Sequence, residues 1–261
     1  MATHSLRVLS LCSGYGGLDL AVRLVFPSAR TLCYVEREIS CVRVLAARME
    51  DGSLDPAPVW DDVATFDPAP WVGCVDLIVA GFPCQPHSVA GKREGTADAR
   101  WPVWDDIIRI AKGCATRAIF LENVPGLLTS SGGASLDRVK RDLVDCGFTR
   151  CASGVISAAA VGAPFKGERW FCLGTSNGDR LPRVVGEWPS KGHSSQQGKI
   201  VVCQQGGVWT SDPPAEPCVF RVADGATVGM DRDQKNRIRM LGNGVVPLQA
   251  AAALKHLMEA L

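Results

Sequence analysis

Apolar residues along the first two thirds of the chain fall into short runs, separated by stretches with helical spacing. Arg7–Leu11 predicts a strand, residues 12–17 a turn with three glycines, and the residues beyond it a helix to about Phe26. Residues 31–35 predict a second strand ending at Glu36, with helical spacing over residues 39–49. Residues 75–80, where Val75, Leu77, Ile78 and Val79 crowd together, predict a strand buried on both faces. The alternation continues with a helix near residues 103–112, a strand over 118–121 ending at Glu122, and a helix near 136–146. Residues 155–159 and 170–174 predict two further strands, antiparallel at one edge.

Strand, glycine turn, helix, strand is the rhythm of an α/β domain with a mostly parallel, Rossmann-like sheet, whose ligands collect beyond the carboxyl ends of the strands. From about Ser176 to Val228 the rhythm stops. That stretch is rich in Gly, Pro, Ser and Gln, with strand signals only at 200–202 and 219–222, and predicts a small irregular module. An alanine-rich helix over residues 246–260 is apolar enough to return to the sheet. The expected division is therefore 1–175, 176–231 and 232–261.

Composition narrows the classes. With 46% hydrophobic residues in 261, the chain can build a full core and is not disordered. A net charge of +1 does not mark a nucleic-acid binder, although Lys92, Arg93 and Arg100 cluster, as do Arg232, Lys235, Arg237 and Arg239. The 11 cysteines lack the paired spacings of a disulfide framework or a zinc site, so reduced thiols in a cytosol and no metal are expected. No stretch approaches the roughly 20 apolar residues that span a bilayer, so no membrane partner is expected.

Candidate chemistry sits where predicted strands end. The run Gly81-Phe82-Pro83-Cys84-Gln85-Pro86-His87-Ser88 follows the 75–80 strand, which puts Cys84 in the ligand crevice. A thiol there is either an activated nucleophile or a small buried hydrophobe. Ser13, Gly14, Tyr15, Gly16 and Gly17 let backbone amides approach a cofactor, but depart from the Gly-x-Gly-x-x-Gly dinucleotide pattern. Glu36 suits the two ribose hydroxyls of a nucleoside cofactor, or is a surface acid beside Arg37. Asp62 suits an adenine amino group, or caps a turn. Glu122, before Asn123-Val124-Pro125, is a general-acid candidate or a capping acid.

Pro83-Cys84-Gln85, Glu122-Asn123-Val124 and Leu241-Gly242-Asn243-Gly244-Val245-Val246 occur in the order seen in DNA (cytosine-5)-methyltransferases, and the chain resembles a compact member of that family. The glycine turn is similar to the family's first cofactor motif, and residues 162–169 to its late Gln-x-Arg-x-Arg segment. The resemblance covers about residues 7–174 and 236–260. It departs at Cys12, where the family carries Phe, and at Phe165 and Gly167, where it carries Gln and Arg.

The resemblance implies a Rossmann-like, S-adenosylmethionine-dependent methyltransferase fold with residues 176–231 as target-recognition module. It implies Cys84 as the nucleophile on cytosine C6, Glu122 as the acid at N3 and the exocyclic amine, and Arg169 as the residue holding the base. Cofactor contacts are implied for Ser13, Gly14, Tyr15, Gly16, Gly17, Glu36, Arg37, Asp62, Val63, Pro83, Asn243 and Val245. DNA contacts are implied for Gln85, Ser88, Lys92, Arg93 and Arg100, with double-stranded DNA as partner. A monomer in the cytoplasm of a bacterium or phage-infected host is expected. An RNA cytosine methyltransferase and a catalytically silent DNA-binding relative are the alternatives. A zinc deaminase is disfavoured because His87 stands where its second cysteine belongs.

Overall fold

The computed structural model describes residues 5–83, 100–176, 181, 200–203 and 244–261. These form one eight-stranded mixed sheet with helices on both faces. In chain order the main elements are β1 (Arg7–Leu11), α1 (Gly17–Val25), β2 (Arg30–Val35), α2 (Ile39–Glu50), β3 (Val59–Trp60) and β4 (Leu77–Gly81). There follow α3 (Arg100–Cys114), β5 (Ala118–Asn123), α4 (Ala134–Asp145), β6 (Arg150–Ile156), β7 (Arg169–Thr175), β8 (Ile200–Cys203) and α5 (Pro247–Ala260). The strand order is β3-β2-β1-β4-β5-β7-β6-β8. β3 through β5 pair in parallel, whereas β7 is antiparallel to both β5 and β6, and β8 is antiparallel to β6.

Each central strand is apolar on both faces because each face is covered. Leu9, Leu11, Ile78, Ala80, Ile119 and Leu121 pack on one side with Trp104, Ile107 and Ile110 of α3 and Leu136, Val139 and Leu143 of α4. Their neighbours Val8, Leu77, Val79, Ala118 and Phe120 pack on the other with α1 and α5. Leu18, Ala21, Val22 and Val25 make the apolar stripe of α1 at helical spacing, and Ala250, Leu254 and Leu257 make that of α5. Burying one such Leu or Ile contributes about 2 kcal/mol.

The strand order reverses between β1 and β4: β2 and β3 lie to one side, β5 to the other. A crevice opens at such a switch point, at the carboxyl ends of the strands. The opposite end is clamped by ions. Asp76, just before β4, accepts from the Arg7 backbone amide (3.0 Å) and from Arg7 Nε (2.9 Å), and also pairs with Arg117 just before β5. One buried carboxylate thus ties the amino ends of three adjacent strands.

Two expected strands start two or more residues away from the sequence expectation. β4 starts at Leu77 rather than Val75, because Asp76 is committed to Arg7 and Arg117. β6 starts at Arg150, five residues earlier than expected, and ends before Ala158–Val161, a 3-10 turn whose Ala160 amide donates to the Ser157 hydroxyl. The expected strand at residues 219–222 lies outside the described residues.

Candidate active site

Three residues of the turn after β1, Cys12, Gly14 and Gly16, have positive φ. This left-handed backbone turns the chain sharply, and Gly16 accepts the Leu20 amide at 3.0 Å to open α1. Gly16 is also the point of closest approach: a Cβ there would stand 2.6 Å from a Leu54 methyl group. Ser13 anchors the turn to β2, since its amide donates to the Val35 carbonyl (3.1 Å) and its hydroxyl accepts from the Val35 amide (3.2 Å).

Glu36 directly follows β2 and holds the same turn. Its carboxylate accepts from the Gly14 amide and from the Glu38 amide, each at 2.7 Å. Burial pushes its pKa up, and the backbone amides of Glu38, Gly14 and Arg37 pull against that shift. Asp62 accepts from the Ala64 amide at 3.0 Å while its other oxygen lies 4.0 Å from a nitrogen of the exposed Arg37, and Val63 beside it is buried. Burial, then the Glu36 and Asp62 carboxylates, pushes the Cys12 thiol up to about 12, so it stays neutral. Glycine turn, Glu36, Arg37, Asp62 and Val63 thus come together around the ends of β1, β2 and β3.

At the ends of β4 and β5, Gly81 stands in register with Glu122. The Glu122 carboxylate meets Arg169 Nε at 3.0 Å, and both side chains are largely buried. Burial raises the Glu122 pKa to about 7 against the opposing pull of Arg169. An acid so tuned is half protonated near neutrality and can give or take a proton. Arg169 also reaches backward and forward in the chain, donating to the Glu168 carbonyl (3.0 Å) and the Gly244 carbonyl (3.4 Å).

Sequence reasoning missed two supports. Asn123 donates its side-chain amide to the Phe82 carbonyl at 3.0 Å and accepts the Val124 amide at 2.8 Å, so it pins the backbone that leads to Pro83. Gln249, buried in α5, donates to the Ile156 and Gly167 carbonyls, both at 2.7 Å, bracketing the loop before Arg169. Its signal was a lone amide at the head of an alanine-rich helix. Pro83 is exposed at the end of the β4 loop, and Val245 precedes α5. Cys84, Gln85, Ser88, Lys92, Arg93 and Asn243 lie outside the described residues, and Arg100 is the first residue of α3. Among the described residues no cluster of three or more metal-ligating side chains occurs, and no helix is long and apolar enough to cross a membrane.

A sheet of this order, with an antiparallel strand inserted between β5 and β6, is in class the Rossmann-like methyltransferase fold. Residues 6–205 match the family model for C-5 cytosine-specific DNA methylases, and the chain belongs to that family. It is 29% identical to the type II methyltransferase M.Eco47II of Escherichia coli over 79% of this chain and 48% of that protein. It is 31% identical to M.NlaX of Neisseria lactamica, over 69% of this chain and 56% of the relative. The chain therefore spans about half the length of the curated relatives it matches. The DNMT2 structure from Spodoptera frugiperda superposes with a TM-score of 0.54 at 22% identity, covering 73% of this chain and 54% of that one, a likeness of fold.

Proposed function

We propose that the chain is a DNA (cytosine-5)-methyltransferase that uses S-adenosylmethionine and acts on a cytosine flipped out of duplex DNA. The observation that carries this reading is Glu122: a buried acid with a pKa near 7, paired with Arg169, at the sheet edge where β4 runs into the Pro83-Cys84 segment. A pyrimidine C5 is a poor methyl acceptor until a soft nucleophile saturates the ring. Cys84 is assigned that part from the Pro-Cys-Gln run. Its thiolate bonds to C6, Glu122 gives a hydrogen bond or proton at N3, and C5 becomes electron-rich. After C5 is methylated, loss of its proton restores the double bond, and the C6–S bond breaks to release Cys84.

The cofactor fits what the chain offers. The glycine turn keeps backbone close at the mouth of β1, and the Glu36 carboxylate, which accepts the Gly14 and Glu38 amides, has acceptor capacity left for a ribose hydroxyl. Asp62 is assigned the adenine amino group, and Arg37, Val63, Pro83, Asn243 and Val245 the remaining contacts. The bound cofactor would supply an electrophilic methyl group at the switch point.

Base flipping costs a few kcal/mol of unstacking, which contacts to DNA must offset. Gln85, Ser88, Lys92, Arg93 and Arg100 are assigned to those contacts, and Arg169 to the base. Residues 1–175 and 232–261 would form the catalytic domain and 176–231 the target-recognition module of a cytoplasmic monomer.

Expression in a methylation-free host, followed by base-resolution mapping of 5-methylcytosine, tests the reading. Methylation at a defined site, abolished by Cys84→Ala with cofactor binding kept, is expected. Absence of 5-methylcytosine in DNA, or its persistence in the Cys84 variant, overturns the reading or the nucleophile assignment respectively.

A further inference from the structure

Tyr15 stands at the tip of the cofactor turn, yet its hydroxyl is engaged elsewhere. It donates to the Val245 carbonyl at 2.8 Å, across 230 residues of chain. Its ring lies so close over Gly244 that a Cβ there would meet ring atoms at 2.0–2.3 Å, so only glycine fits beneath it. Val245 in turn presses on Gly17, the first residue of α1, where a Cβ would meet the Val245 carbonyl oxygen at 2.9 Å. The adjacent Gly244 carbonyl accepts from Arg169, which grips Glu122. Two consecutive carbonyls therefore receive a donor from the cofactor turn and a donor from the substrate acid's partner.

We infer that Tyr15 is a positioning residue: by fixing residues 244–245 it holds Arg169 against Glu122, and so links the cofactor turn to the acid that acts on the base. The inference rests on the methyltransferase reading for its consequence in catalysis, but the linkage itself is a property of the fold. Electrostatics agrees with the geometry, because the Tyr15 phenol, raised first by burial, is also lowered by Arg169 and raised by Glu122. Among the described residues, the charged or titratable groups facing Glu122 are Arg169 from β7 and Tyr15 from the turn, while β4 presents only Gly81.

Tyr15→Phe keeps the ring over Gly244 and removes only the donor. In the full chain with labelled glutamate side chains, NMR titration, assigned with Glu122→Gln, should show the Glu122 midpoint displaced upward in Tyr15→Phe. Saturating methyl transfer should fall about fivefold, the effect of one lost hydrogen bond, and by more than any fall in cofactor affinity. Tyr15→Leu, which keeps apolar bulk without the phenol, should move both readouts in the same direction and serves if the first variant folds poorly. An unchanged Glu122 midpoint overturns the inference. So does an unchanged turnover rate, or a loss of rate matched by an equal loss of cofactor affinity, which would make Tyr15 merely part of the cofactor turn. If the wild-type chain methylates no DNA, the functional reading fails while the Glu122 titration still decides the linkage.

Discussion

The Glu122 carboxylate lies 3.0 Å from Arg169 Nε, yet burial outweighs that cation and leaves the acid with a pKa of about 7. A carboxyl whose folded pKa exceeds its unfolded value near 4.5 contributes stability fully below that value and loses it as pH rises through 7. Between these limits the wild type should lose up to about 3 kcal/mol from this one group, and Glu122→Gln should not. Denaturant unfolding of both proteins across pH 4 to 8 checks this; parallel stability curves would contradict a buried acid.

Asn123 should matter to methyl transfer more than to cofactor binding. Asn123→Ala removes the donor to the Phe82 carbonyl and the acceptor for the Val124 amide, both in a buried setting. A loss of about 1–2 kcal/mol in stability is expected, with a larger proportional loss of single-turnover rate than of cofactor affinity. Isothermal titration and single-turnover assays on the same variant give the comparison, and equal losses would count against the pinning role.

Gln249→Leu should weaken the fold around Arg169 from a distance. It strips two carbonyls, those of Ile156 and Gly167, of the donor that α5 provides. Losing the buried bond to Ile156 costs about 1–3 kcal/mol, whereas the part-buried Gly167 carbonyl keeps the Ala158 amide at 3.3 Å, and the melting temperature should drop accordingly. Gln249→Glu should be at least as damaging, because it removes the amide and buries a charge, so a neutral result for either variant would sink the explanation.

The Asp76 clamp should fail in acid. Burial works to raise this carboxyl, but the bonds from Arg7 and then Arg117 outweigh it and hold the pKa near 2. The stabilisation is present above its unfolded value of about 3.8 and is lost as pH falls through 2. Because the arginines are partly exposed, solvent screening limits the contribution to about 1 kcal/mol. Asp76→Asn should therefore melt earlier than wild type at pH 7, with the gap closing toward pH 2 in thermal scans.

The parts of the site on buried parallel strands were legible in the sequence. β1, β2, β4 and β5 read as apolar runs because both faces are covered, and Glu36, Glu122 and Pro83 follow directly from where those runs stop. β6 was misplaced because Arg150, Cys151, Ala152, Ser153 and Gly154 include no β-branched or aromatic residue, and sheet pairing alone makes them a strand. β3, two residues long, gave no periodicity to detect. The bonds from Asn123, Gln249 and Tyr15 join residues 41 to 230 positions apart, a separation that local pattern does not report.

The direction of β7 also determines what Arg169 depends on. Because β7 runs against β5, its first residue arrives at the edge of the sheet where β5 delivers its last, and Glu122 and Arg169 meet there. Within the loop from 157 to 168, Gly167 has positive φ and is held by its bond from Gln249, while the ladder of β5 and β7 keeps the arginine at its address. A slip of one residue in that ladder is a different matter, since it turns every β7 side chain to the opposite face. The meeting of Glu122 and Arg169 thus depends first on strand register, which admits no slip.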